Sequence, residues 1–254
     1  MTRFMSLPFE FPTFAALICL AFVAGLVRGF AGFGAAMIYV PAASLMVGPQ
    51  IAVIILWTMD TIPTLPIVMP ALKKADWKSV LPVAAGYAAT VGLGVWFLKH
   101  GDTELLRWLI SGFILATVAV LWSGWRYHGA RPLPLSMVAG GISGLFGGAA
   151  QLSGPPVLVY WLAGSDPSWR IRANTIVLFA ITTLFSGAAM FAAGLFHRPA
   201  ILTALVCAPA YGIGLVLGQH VFGRATEASF RRAAFVIILA VAIVTLPLFD
   251  GVLR

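Results

Sequence analysis

Ten apolar stretches follow one another along the chain, at 12–31, 33–47, 50–69, 79–98, 105–125, 134–146, 149–162, 171–194, 200–222 and 230–248. A helix needs about 20 apolar residues to cross a bilayer, and most of these stretches approach or exceed that length. The one polar interval of any extent, 126–133, holds two arginines, a histidine and a proline, and it divides the stretches five and five. In each set a glycine-rich run separates the first two stretches. The pattern predicts an all-α membrane protein with a first transmembrane repeat at 1–125, a linker at 126–133 and a second transmembrane repeat at 134–254.

The two glycine-rich runs are copies. The first reads VAGLVRGFAGFG from Val23 and closes at Pro41; the second reads VAGGISGLFGG from Val138 and closes at Pro156. A displacement of 115 residues superposes Val23, Ala24, Gly25, Gly29, Gly32, Ala35 and Pro41 on identical residues without a gap. A second block follows at a displacement of 124, pairing Tyr87 with Tyr211, Gly94 with Gly218, Arg107 with Arg231 and Leu115 with Leu239. Interrupted hydrophobic segments at matching places in two halves point to the binding site of a transporter.

Composition agrees with a membrane setting. Only 9% of residues are charged, against about 25% in a soluble domain. The net charge of +8 therefore lies mostly in loops between spans, where it sets orientation and meets anionic lipid. It does not point to nucleic acid. Loops after odd-numbered stretches carry ten Lys and Arg, against five on the opposite side. The positive-inside rule then puts both termini outside, and five stretches per half turn the halves into an inverted-topology repeat. The first stretch reads as a span and not as a removable signal, since no small-residue cleavage site precedes the glycine run. Cys19 and Cys207 both fall in apolar stretches and read as small core residues.

Irregular backbone inside a bilayer survives only where it is buried in protein or lines an aqueous cavity. The glycine runs predict such breaks, glycine-broken or re-entrant, with helix N-termini that can bind an anion through free N–H groups. Candidate substrate contacts are Gly29, Gly32, Phe33 and Gly34 in the first copy, and Ser143, Gly144, Gly147, Gly148, Gln151 and Ser153 in the second. For Gly25, Gly29, Gly140 and Gly144 the small-xxx-small spacing fits close helix packing equally well. Gln151 and Ser153 can donate to an oxyanion or bond between helices.

Two charges lie deep in apolar sequence: Arg28 within the first run and Asp60 midway along the third stretch. A charge at a helix centre costs about 2.5–3.5 kcal/mol on insertion scales, so each is a functional candidate. Asp60 is the candidate for proton coupling; Arg28 can attract the anion or simply hold Asp60 in a structural pair. The prolines and threonines after Asp60 suggest freed carbonyls with hydroxyls to serve them. The repeat mate of Asp60 is Thr175, beside Asn174, and both join the substrate candidates as neutral groups. Trp57, one turn from Asp60, is placed to face the cavity. No metal-ligand spacing, cofactor loop or nucleophile–base pair is present in the pattern, so an enzyme is not expected.

The two runs, GLVRGFAGFGAAMIYVP and GGISGLFGGAAQLSGPP, resemble those of the TauE/SafE sulfite exporter family, also called the toluene sulfonate uptake permease family. Ala35, Ala36 and the Ala149-Ala150-Gln151 interruption depart from its commoner glycine pairs. The resemblance implies a bacterial inner-membrane carrier of small sulfur-containing anions such as sulfite, thiosulfate or organosulfonates, with proton coupling as the usual arrangement. An anion channel and a carrier of small carboxylates remain the alternatives.

Overall fold

The computed structural model describes residues 9–123, 132–162 and 166–222, together with 236, 238–243 and 246. Most of the expected linker (126–131) and most of the tenth stretch lie outside the described residues, and Leu133, expected in the linker, already belongs to α6. Nine helices are described: α1 (Phe11–Ala31), α2 (Ala35–Val47), α3 (Pro49–Leu72), α4 (Trp77–His100), α5 (Thr103–Trp122), α6 (Leu133–Ala150), α7 (Gly154–Leu162), α8 (Ser168–Ala192) and α9 (Arg198–Phe222).

Six of them, α1, α4, α5, α6, α8 and α9, are long and apolar enough to cross a membrane. The chain is thus a multi-pass membrane protein, with fewer described full spans than apolar stretches. Of the others, α2 and α7, with 13 and 9 residues, reach only about 20 and 14 Å at 1.5 Å per residue. Helix α3 is long enough at 24 residues and largely apolar, and it carries Asp60 and three internal prolines. Its threonines donate one turn back, Thr61 to the Trp57 carbonyl at 2.6 Å and Thr64 to that of Asp60 at 2.9 Å. The carbonyls that Pro63 and Pro66 leave without an N–H donor are those of Met59 and Ile62, so the hydroxyls serve neighbouring groups and not the freed ones.

Two long pairs organise the structure, α1 along α9 and α6 along α4. Lipid gives helices no hydrophobic reason to associate, so close approach and dispersion must hold them together. Small residues make that approach possible on both sides of each seam. A Cβ on Gly29 would overlap the Leu215 carbonyl, and one on Gly218 that of Leu26; Gly144 meets Tyr87, and Gly94 meets Leu145, in the same way. Cys207 is buried in this packing, whereas Cys19 is exposed on α1, which corrects its reading as a core residue.

Both breaks exist, but the second lies one turn later than its glycines suggested. The first is Gly32-Phe33-Gly34, with both glycines in left-handed backbone at φ 77° and 97°. The second is Gln151-Leu152-Ser153, where Gln151 adopts φ 59°. Gly147 and Gly148 remain helical within α6. Helix ends keep a constant spacing: α1 and α6 end at Ala31 and Ala150, α2 and α7 start at Ala35 and Gly154, and α3 and α8 start at Pro49 and Ser168, each 119 residues apart. That spacing differs from the sequence displacement by four residues, about one helical turn, so the same face stays on the seam.

If the seams depend on this close approach, Gly29→Ala should lower the melting temperature of the detergent-purified protein, by the equivalent of about 1–3 kcal/mol. Gly112→Ala is the control, because a Cβ there meets nothing within 4 Å. Equal melting of the two variants would contradict the packing role.

Candidate functional site

The first break delivers Arg28 to the centre of the molecule. Arg28 lies in the last turn of α1, and its carbonyl accepts the capping N–H of Gly32 at 2.8 Å. A cation is favourably placed at that end of a helix, where the dipole is negative. Across from it, Asp60 projects from α3, and the two meet as an ion pair with Nε–Oδ1 at 2.8 Å. Tyr211 of α9 donates to the same Oδ1. It reaches Asp60 because α9 packs directly on Gly25, where a side chain would overlap the Tyr211 backbone. Above the guanidinium lies the Phe179 ring of α8, 5.0 Å from centroid to Cζ, a cation–π contact.

Arg28, Asp60 and Phe179 line a cavity of about 50 Å³ together with Ala35, Ala36, Leu56, Trp57, Gln151, Ser153, Gly154, Thr182 and Thr183. One water needs about 10–15 Å³ on such a measure, so the space suits a few waters or one small polyatomic ion. A guanidinium has five N–H donors and a carboxylate accepts at most two side by side. Arg28 therefore retains donors for the cavity it lines. Trp57 forms part of the wall: its indole N–H donates to the Thr183 carbonyl at 3.1 Å, and its ring meets Phe196 edge-on at 5.1 Å.

The second break supplies neutral polar groups. Its turn is clipped by Ser143, whose hydroxyl donates to the Ser153 carbonyl at 2.5 Å. Gln151 folds back onto the Gly147 carbonyl at 3.2 Å and still borders the cavity. Pro155 and Pro156 follow Gly154 at the start of α7 and bring no N–H. The glycine runs predict helix N-termini with free N–H groups at both breaks. Instead, α2 presents Ala35 and Ala36 of its first turn, and α7 has two fewer donors.

The structure thus brings together Arg28, Asp60, Gln151 and Ser153 of the residues singled out in the sequence. Gly29, Gly144 and Gly148 lie on helix seams, and Gly147 lies against the Tyr87 ring. Ser143 is fully buried behind the turn. Gly32, Phe33 and Gly34 form the turn at the end of α1, outside the cavity lining. Asn174 and Thr175 are buried elsewhere on α8: Asn174 accepts the Asp76 N–H at 2.7 Å, and Thr175 donates to Ile171 at 2.8 Å. Tyr211, Phe179, Thr182 and Thr183 were not among the sequence candidates. Tyr211 stood out there only as the repeat mate of Tyr87, and nothing marked it as a partner of Asp60.

Multi-pass helices that break around a charged cavity are the framework of a membrane transporter. The chain belongs to the family described as "Sulfite exporter TauE/SafE", which matches residues 17–245. It is 26% identical over 227 residues to the "Probable sulfite/organosulfonate exporter TauE" of Cupriavidus necator, covering 83% of this chain and 84% of that one. It is likewise 26% identical over 176 residues to the "Probable inner membrane transporter protein TsaS" of Comamonas testosteroni, covering 66% and 71%. No solved structure matches it significantly.

Removing one partner of a buried ion pair strands the other. Arg28→Met should destabilise the protein by roughly 3 kcal/mol, read by thermal melting in detergent. Adding Asp60→Asn to that variant should restore most of the loss. Additive losses in the double variant would show that the two charges do not support each other.

Proposed function

We propose that this protein is a secondary active transporter of small sulfur-containing anions, such as sulfite, thiosulfate or an organosulfonate, across the bacterial inner membrane. The observation that carries this reading is Arg28: a cation inside the bilayer region, half satisfied by Asp60, with donors left over for a cavity of small-oxyanion size. The names of both relatives support the substrate class and the membrane. Ser153 and Gln151 would orient the anion from the second break, and backbone N–H groups at the start of α2 would add donors without charge.

The arrangement supports coupling to protons. An anion held on Arg28 sits beside the Asp60 carboxylate, and two negative charges at that distance repel strongly in a low dielectric. Taking up the anion together with a proton removes the conflict. Tyr211 keeps Asp60 in place through the exchange.

Alternating access suits the same framework. The spacing of 119 residues between helix ends and the two crossed pairs, α1 with α9 and α6 with α4, support an inverted repeat in which each half lends one helix to a seam with the other. Rocking at these seams would expose the cavity to either side. Both termini lie outside in this reading, from the loop charges.

Sulfite counterflow in proteoliposomes tests the carrier. Unlabelled sulfite inside should accelerate entry of labelled sulfite; flux that is linear and unaccelerated would mean a channel. Asp60→Asn should abolish accumulation driven by a pH gradient while counterflow persists. Gradient-driven accumulation at the wild-type level in that variant would remove Asp60 from the coupling step.

A further inference from the structure

Phe179 occupies a particular place. Counting the constant 119 residues from Asp60 reaches Phe179, and from Arg28 it reaches Gly147. In the first half, α3 therefore holds Arg28 by charge. The residue at the matching position of α8 holds the same guanidinium by its ring face, 5.0 Å away. The ring also reaches across to the second break. A Cβ on Gly154 would come within 3.0 Å of the Phe179 Cζ and 3.6 Å of the Phe33 Cβ. Phe179 thus fills the space between Arg28, the start of α7 and Phe33, and forms the aromatic wall of the cavity.

That wall limits what can sit on Arg28. The cavity measures about 50 Å³, whereas an engineered protein cavity that takes benzene measures about 150 Å³. A compact oxyanion fits beside Arg28; an aryl group attached to it does not while the ring of Phe179 is in place. Gly154 has no side chain, so the tip of the ring can lie against α7 without being pushed off the guanidinium.

We propose that Phe179 is the residue that sets substrate size: it restricts the Arg28 site to compact oxyanions and excludes the aryl part of larger sulfonates. The inference rests on the reading of this cavity as the anion site. It assigns to Phe179 a selective role and not only a packing one, because the ring both lines the cavity and stacks on the cation.

The test is a binding comparison on the detergent-purified full chain, by calorimetry, using sulfite, methanesulfonate and benzenesulfonate. Wild type should bind sulfite and discriminate against benzenesulfonate by about tenfold or more. Phe179→Ala should bring the benzenesulfonate affinity close to the sulfite affinity of the same variant. Phe179→Leu, which keeps bulk but loses the ring quadrupole, should retain discrimination. Should the alanine variant not fold, Phe179→Val takes its place. Discrimination that is unchanged in the small-residue variant, or absent in wild type, overturns the role of Phe179 and leaves the anion site standing. A wild-type protein that binds none of the three probes overturns the site itself.

Discussion

One ion pair fixes the centre of this molecule. A guanidinium and a carboxylate that stand alone in a bilayer are each costly, and in aliphatic surroundings neither would persist. Arg28 and Asp60 remove most of that cost for each other, but only if α1 and α3 are held at one separation and one depth. Tyr211 makes a further demand, since α9 must also come within hydrogen-bonding reach. Three helices far apart in sequence are therefore tied to one carboxylate oxygen.

The seams serve this requirement. With no water to drive apolar surfaces together, α1 approaches α9 only because Gly25, Gly29, Gly214 and Gly218 present no side chains to the opposing backbone. The same device joins α6 to α4. The glycines hold backbones together, and the breaks are set by other means: left-handed glycines at the first, and a left-handed Gln151 followed by Gly154 and two prolines at the second.

That division of labour explains what could be read from the sequence. The helical class, the short second helix of each half and the bounds of α1 follow from apolar length. The second break was displaced by a turn because glycine marks close contact and chain reversal alike. Gly147 and Gly148 do the first, while Pro155 and Pro156 were the better marker of the second. The polar part of the cavity was legible, since Arg28, Asp60, Gln151 and Ser153 are conspicuous in apolar surroundings. Of the rings around the ion pair only Trp57 was legible: Phe179 and Tyr211 look like any other ring on an apolar helix until the partner helix is in place. Asn174 and Thr175 were misplaced by the same one-turn error, carried into α8 by the displacement of 115.

Trp57 has a mechanical consequence of its own. Its indole donates to the Thr183 carbonyl, and its six-membered ring occupies a notch that exists because residue 187 is glycine. Helices α3 and α8 are thus latched together beside the cavity by a bond and a shape match at once. A path to the cavity that parts these two helices has to break that bond and empty the notch before anything larger than water can pass.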